Sequence, residues 1–409
     1  MEQRTSDRDA GVTTEFERDV VKLLLEAMRA VDKQEREDVG TESVLYALVS
    51  GDWAAGSAIA PGMKASGSLG GSIGCRGTRV WVSEDAGEGR VGSPDDEREI
   101  DAFFREVRLE ETKRLLWKNR KKKVEQQHGG LELRLMTGAL RSCLRKALQA
   151  AREEGTPAVR VRHVARALLE LSDTRAREAM VLEKLDVTAA STALDALRES
   201  DEEAPESATV LVLRKAGTFG KSGNPLTRKL TFWIFGGGAG FGSAVVSAVR
   251  QETQRGAVRR GASEMTPVDM LLGILALDRS LAVAGRELPE NLTEANQGAR
   301  LLRRYGARQD TLARVSLPTT GVAEGRPSEV RGPADFERRL LHVTQLIASA
   351  QSSPTVGTTH LLAALLDEKG TNAESAAEIE RLLSESGVDV AGLRSEPQLR
   401  VPTGAAATS

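Results

Sequence analysis

One phrase recurs four times along this chain. It is a helix with aliphatic residues at three- and four-residue spacing, a short polar connection, and a second aliphatic helix that opens on a threonine, proline or small residue. The leading helices carry Val20, Val21, Leu24, Leu25 and Met28 in the first copy, and Leu140, Leu144, Ala147, Leu148 and Ala151 in the second. The third uses Val245, Val246 and Val249, and the fourth Phe336, Leu340, Leu341, Val343 and Leu346. The second helices open at Val39-Gly40-Thr41-Glu42, Val161-Arg162-His163, Thr266-Pro267-Val268-Asp269 and Val356-Gly357-Thr358-Thr359-His360. Thr41 and Thr358 read as N-caps, whose hydroxyls accept from orphan amides. Pro267 reads as a first-turn residue, where its missing amide costs nothing. Copies two to four end on Leu182–Val187, Leu302–Ala307 and Leu382–Val388, with Gly306 and Gly387 placed as helix C-caps. Such stripes are buried by packing helix on helix, which predicts a mainly α fold.

The chain has 409 residues, which predicts two to four domains, and its 40% hydrophobic content is enough for buried cores. With 57 Lys+Arg against 59 Asp+Glu the net charge is −2, which excludes a wholly basic nucleic-acid coat. Aromatic residues are 3%, too few for a protein that stacks bases or sugars on aromatic platforms. Cys75 and Cys143 make no disulfide framework or metal pair, and the polar N-terminus is no secretory signal, so a cytoplasmic protein is expected. Leu230–Val249 is long enough to span a bilayer, but its glycines and serines read better as a strand, a glycine loop and a helix start.

Three breaks interrupt the repeats. The first, 61–134, begins Gly/Ser-rich, holds a strand-like Thr78–Ser83, and reads as loop and linker up to Pro94. A charged helix follows from Glu97 to about Gln127, its acidic and basic halves expected to neutralise each other. The second break is the acidic stretch Asp201–Ser207, and the third is Pro318–Pro333. A β-hairpin is expected to join 208–213 to 226–235, and 396–409 reads as a disordered tail.

Two stretches invite specific chemistry. Gly217-Thr218-Phe219-Gly220-Lys221-Ser222 is the nearest approach to a phosphate loop, but its first glycine is misplaced and Gly223-Asn224-Pro225 breaks the helix such a loop must open. The basic run Lys113–Lys123, with Trp117 inside it, is the alternative nucleic-acid face. His128, His163, His342 and His360 have no metal-ligand spacing, and His163 and His360 read as packed structural histidines. No catalytic residue, metal or cofactor is assigned.

On these residues the sequence resembles the N-terminal domains of the Clp chaperones, in which one domain is a pair of Clp repeats. The family phrase Gly-Thr-Glu-His before a Leu-rich helix is matched by Gly40-Thr41-Glu42 and by Gly357-Thr358-Thr359-His360-Leu361-Leu362, and the family's Thr-Glu start by Thr14-Glu15. The resemblance implies two double-repeat helical bundles with minor β-hairpin insertions. One spans 12–200, with repeats at about 12–60 and 135–200, and the other 208–395, with repeats at about 240–315 and 333–395. It implies a non-catalytic protein that binds peptide segments, client proteins or cyclic peptides as an adaptor to, or decoy for, a Clp ATPase. In some family members the motif glutamate receives the guanidinium of phosphoarginine. Thr14 and Glu42 are the residues that match, whereas Arg162, Val268 and Thr359 stand at the other three copies of the Glu42 position.

Overall fold

The structure is a computed structural model that describes residues 16–75, 81–87, 92–122, 134–156, 158–200, 206–220, 243–262, 264–309, 311–312 and 334–400. The fold is mainly helical, and the chain divides into two compact units, Ala10–Pro205 and Glu206–Ser409. None of the described helices is long and apolar enough to cross a membrane.

In the first unit, α1 (Arg18–Lys33) buries Val20, Leu24, Ala27, Met28 and Val31, the three- and four-residue stripe of the sequence. It is followed by β1 (Asp38–Val39) and α2 (Thr41–Ser50), then by α3 (Ala54–Ile59) and α4 (Gly62–Cys75). After α5 (Pro94–Lys122) come β2 (Leu135–Met136), α6 (Gly138–Glu153), α7 (Val161–Glu170), α8 (Arg175–Leu182) and α9 (Val187–Ser200). The pairing of the short extended pieces is reciprocal. β1, which leads into α2, pairs in parallel with β2, which leads into α6, while Phe16, ahead of α1, bridges to Val159, ahead of α7. The segments leading into α1 and α2 therefore pair with those leading into α7 and α6, in exchanged order.

Within the interruption, 61–134, the described residues are folded into this unit, contrary to the loop expected up to Pro94. Its Gly/Ser-rich start forms α4, whose Leu69 and Ile73 are fully buried. A Cβ at Gly70 would lie 3.2 Å from Ser50 Oγ, so a small residue there lets α4 lie close on α2. α5 buries Ile100, Phe103 and Val107, and Phe103 stacks on Phe16 with ring centroids 4.2 Å apart. Its N-terminal carboxylates pair with α6, whereas Glu110 and Glu111 pair with Lys113 and Arg114 of its own basic run. Glu97 receives Arg141 and Arg145, Asp101 receives Arg141, and Asp96 receives Arg152. Of the expected strand-like piece, residues 76–80 lie outside the described residues and 81–83 form no strand.

The second unit contains α10 (Ala208–Lys215), α11 (Ala244–Arg260), α12 (Pro267–Val283), α13 (Glu290–Thr293) and α14 (Gly298–Arg304). These are followed by α15 (Ala334–Ala350), α16 (Thr358–Leu366), α17 (Ala373–Glu385) and α18 (Val390–Ser395). α11 and α12 cross so closely that a Cβ at Gly273 would meet Thr253 Oγ1 at 2.3 Å. The first arm of the expected hairpin is α10 instead. Ser207 caps it by accepting from the Val210 amide, and Val210 and Leu213 face the core, so capping and burial override the strand preference of Val-Leu-Val-Leu. The second arm, 226–235, lies outside the described residues. The expected tail also starts late: Pro397–Leu399 forms a 3-10 turn that buries Leu399, and Glu396 accepts from Tyr305 and Arg304.

The three closing phrases end in one geometry. The amides of Leu185, Ala307 and Val388 donate back to the carbonyls of Met180, Leu302 and Leu383, and the preceding residue takes a left-handed conformation. That residue is glycine at 306 and 387, with φ 96° and 80°, but lysine at 184, with φ 56°.

Candidate functional site

Of the two site residues that the resemblance implies, Thr14 and Glu42, Glu42 sits beside Thr41 in the first turn of α2, and the N-cap is Gly40 rather than Thr41. The Thr41 hydroxyl is free of capping duty because it faces a second helix: it accepts from the Ala176 amide of α8 at 3.1 Å. It donates in turn to Asp85 at 2.6 Å. Asp85 belongs to residues 81–87, a strap between α4 and α5, and its carboxylate is where three helix starts meet. It accepts from the Thr41 amide of α2 at 2.9 Å and from the Arg175 amide of α8 at 3.2 Å. It also accepts at 2.6 Å from the hydroxyl of Thr137, which caps α6. Helix starts expose unpaired amides and the positive end of the backbone dipole, so a carboxylate is the natural group at such a junction. The strap's backbone fits only because of glycine: Gly87 is left-handed at φ 69°, and a Cβ at Gly138 would lie 1.7 Å from the Ala86 carbonyl oxygen.

Glu42, one residue on, is fully buried and holds a guanidinium of the chain itself. Arg36 Nη1 donates to its carboxylate at 2.8 Å, and Nη2 donates to the Ile73 carbonyl near the end of α4 at 2.8 Å. Both side chains are at most 1% exposed. Arg175 approaches the same carboxylate at 3.7 Å while donating to Asp38 at 3.0 Å. The Ser43 hydroxyl donates to Glu42 Oε1, and Glu42 Oε2 is buried with no hydrogen-bond partner. Burial, reinforced by Asp85, pushes the Glu42 carboxyl above its usual range, and Arg175 and Arg36 oppose the shift. Trp81 lies over Arg36, with Cζ 6.0 Å from the ring centroid. The strap's outer end is held by Glu178 of α8, whose carboxylate accepts from the amides of Val82 and Ser83 at 2.9 and 3.2 Å.

The second unit builds the same kind of junction without charge. α16 starts against the segment leading into α14: Asn296 Oδ1 accepts from the Thr358 amide at 2.9 Å, and the Thr358 hydroxyl accepts from the Gly298 amide at 3.2 Å. The Thr359 hydroxyl, at the Glu42 position, accepts from the Gln297 amide at 2.8 Å.

At α7, α12 and α16 the residue three places after the N-cap has a further, structural task. His163 Nδ1 accepts from the Arg160 amide, His360 Nδ1 from the Gly357 amide, and Asp269 from the Thr266 amide. Both histidines are therefore packed hydrogen-bond acceptors in the manner of a capping-box side chain. The His163 proton lies on Nε2, facing Glu154 at 3.1 Å. Burial alone would raise the Glu154 carboxyl, but Arg162 and His163 hold it down to about 2.

Thr14 lies outside the described residues, so it is not placed against Glu42. Of the basic run, Lys113 pairs with Glu110 and Arg114 with Glu111, residues 118–122 continue α5, and Lys123 lies outside the described residues. Gly217–Gly220 form a turn after a helix, whereas a phosphate loop follows a strand, and Lys221 and Ser222 lie outside the described residues. Among the described residues no cluster of His, Cys, Asp and Glu could hold a metal ion. Sequence reasoning missed Arg36, Asp85, Thr137 and Arg175. An arginine in a short polar connection looks solvated, and Asp85 lies 44, 52 and 90 residues from the groups it joins. Comparison with known protein families, curated proteins and solved structures found no match.

Proposed function

We propose that the chain is a non-catalytic recognition protein of the Clp N-terminal type, two double-repeat bundles that bind peptide segments as an adaptor to, or decoy for, a Clp ATPase in the cytoplasm. The observation that carries this reading is the chemistry at the start of α2. Glu42 is built to hold a guanidinium, and it does so beside helix starts built to hold an anion. A cation-recognising carboxylate next to an anion-recognising turn suits an arginine side chain that carries a phosphoryl group. The exchanged pairing of leading segments supports the double-repeat reading of the first unit. The ligands in view are clients of the ATPase, their peptides, or cyclic peptides; neither a membrane nor nucleic acid is among the partners.

The test is the degradation of fluorescein-labelled casein by a purified Clp ATPase–protease, with increasing amounts of this chain. An adaptor raises the rate and a decoy lowers it, in either case saturably and together with co-sedimentation of chain and ATPase. An unchanged rate with no co-sedimentation would overturn the proposal.

A further inference from the structure

The recognition site at Thr41–Glu42 is already full, and what fills it comes from two places. The cation is Arg36, from the connection between α1 and α2; the anion is Asp85, from the strap. The strap controls both halves, because Trp81 covers Arg36 while Asp85 takes the amides of α2 and α8. We propose that residues 81–87 are an autoinhibitory strap. In the closed state Asp85 and Arg36 stand in for the two charged ends of a phosphorylated arginine. Lifting the strap frees the Thr41 turn and uncovers Arg36, which the ligand's guanidinium then displaces from Glu42. The inference rests on the recognition reading above and adds its regulation.

Three observations beyond the charges support a part that closes rather than one that merely packs. The two ends of the strap are anchored by different chemistry. Asp85 is buried at 1% exposure and tied to helix starts, whereas Val82 and Ser83 hang on a single carboxylate, Glu178, and Val82 is 89% exposed. The strap is held to the bundle by hydrogen bonds and by one side chain, Trp81, packed against the core, rather than by an aliphatic stripe, so its release withdraws a single ring from the apolar interior. Glu42 Oε2 is buried and unpartnered with Arg36 in place, so the seated arginine leaves part of the carboxylate's capacity unused. A ligand guanidinium presented in a forked pair would use both oxygens.

The experiment loosens the strap at its exposed anchor and reads binding of a labelled hexapeptide with one phosphoarginine, by fluorescence anisotropy, beside the same peptide with plain arginine. Glu178→Ala leaves Arg36, Glu42 and Asp85 untouched. It is expected to bind the phosphoarginine peptide at least tenfold more tightly than the wild type, with faster hydrogen exchange at the Thr41–Ser43 amides. Asp85→Ala, which empties the anion position itself, is expected to bind more tightly still, and Glu42→Gln added to Glu178→Ala abolishes the gain. Equal affinity in wild type and Glu178→Ala, lost in both on Glu42→Gln, would overturn the strap's role while leaving the recognition reading intact. No binding by any folded variant would overturn the reading and the strap with it. Unchanged exchange at Thr41–Ser43 in Glu178→Ala would also overturn the strap, and that variant decides the matter if Asp85→Ala does not fold.

Discussion

At the junction of the first unit, α2 and α8 start against each other around Asp85, Glu42, Arg36 and Arg175. At the junction of the second, α16 and α14 start against each other around Asn296 and the hydroxyls of Thr358 and Thr359. Both arrangements satisfy the same kind of unpaired backbone amide, so charge is not needed for that task. Burying ions carries a desolvation cost that neutral hydroxyls and amides avoid, and a buried ion pair is weak evidence of stabilisation. The neutral junction is therefore the simpler way to close such a bundle. The charged one places cation and anion recognition on adjacent residues, Glu42 and Thr41, which is why the functional proposal rests on the first unit alone.

The largest effect should come from breaking the charged junction on one side. Arg36→Met leaves Glu42 buried without its nearest guanidinium and should cost about 3–5 kcal/mol, whereas Thr359→Val in the second unit should cost about 1 kcal/mol. Urea melts of the two variants, with hydrogen exchange resolved to α2 and α16, measure both. Replacing the pair together, Arg36→Met with Glu42→Leu, should recover most of the loss. A single-variant cost for Arg36→Met no larger than that of Thr359→Val would break the comparison.

Acid should separate the units next. Glu154 is held down to about 2, below its unfolded value, so the stability it contributes is present above about pH 4.5 and lost as pH falls towards 2. Glu154→Gln should flatten that acid limb for α7. His360 is shifted below its ordinary value by burial, so the unfolded chain takes up its proton first; stability is present above about pH 6.5 and is lost as pH falls through the folded value. Melts of His360→Gln at pH 7.5 and 5.0 should show a smaller loss on acidification than wild type, because glutamine can accept from the Gly357 amide without titrating. An equal loss in both proteins would remove the histidine from the account.

The smallest effect concerns the closing turns. Lys184 takes the left-handed place that glycine holds at 306 and 387. The steric cost of roughly 1–2 kcal/mol, set against glycine's larger loss of backbone entropy, leaves a gain of about 0.5 kcal/mol for Lys184→Gly. Gly387→Ala in the second unit should lose about 0.5 kcal/mol by the same two terms with the sign reversed, since nothing lies within 4 Å of the added carbon. Calorimetric melts of both variants test the pair, and a loss at Lys184→Gly would mean the lysine side chain matters more than its backbone.

Much of this architecture was legible in local pattern. The aliphatic stripe of α1, the proline at the start of α12 and the glycines that end two closing phrases all act within one turn of themselves. α4 was hidden because its glycines and serines carry linker composition, while only Leu69 and Ile73 report burial. α10 differs from the expected strand because the four-residue run Val210–Leu213 fits a strand as well as a helix, and the deciding cap is the single hydroxyl of Ser207. Of the site, Glu42 was visible through its phrase, but its occupant was not. Which cation meets it depends on how the connection from α1 returns beneath α4, and no short-range pattern encodes that.

The hydroxyl of Thr41 waits for the amide of Ala176, 135 residues later in the chain. At about 5–20 residues per second of synthesis, about 7–27 seconds separate the two. During that interval α1, α2 and α4 can meet, and Glu42 can already receive Arg36, while the starts of α6 and α8 are still missing. A growing chain therefore passes through a stage in which Glu42 already holds Arg36 while the strap still lacks two of its partners, the starts of α6 and α8.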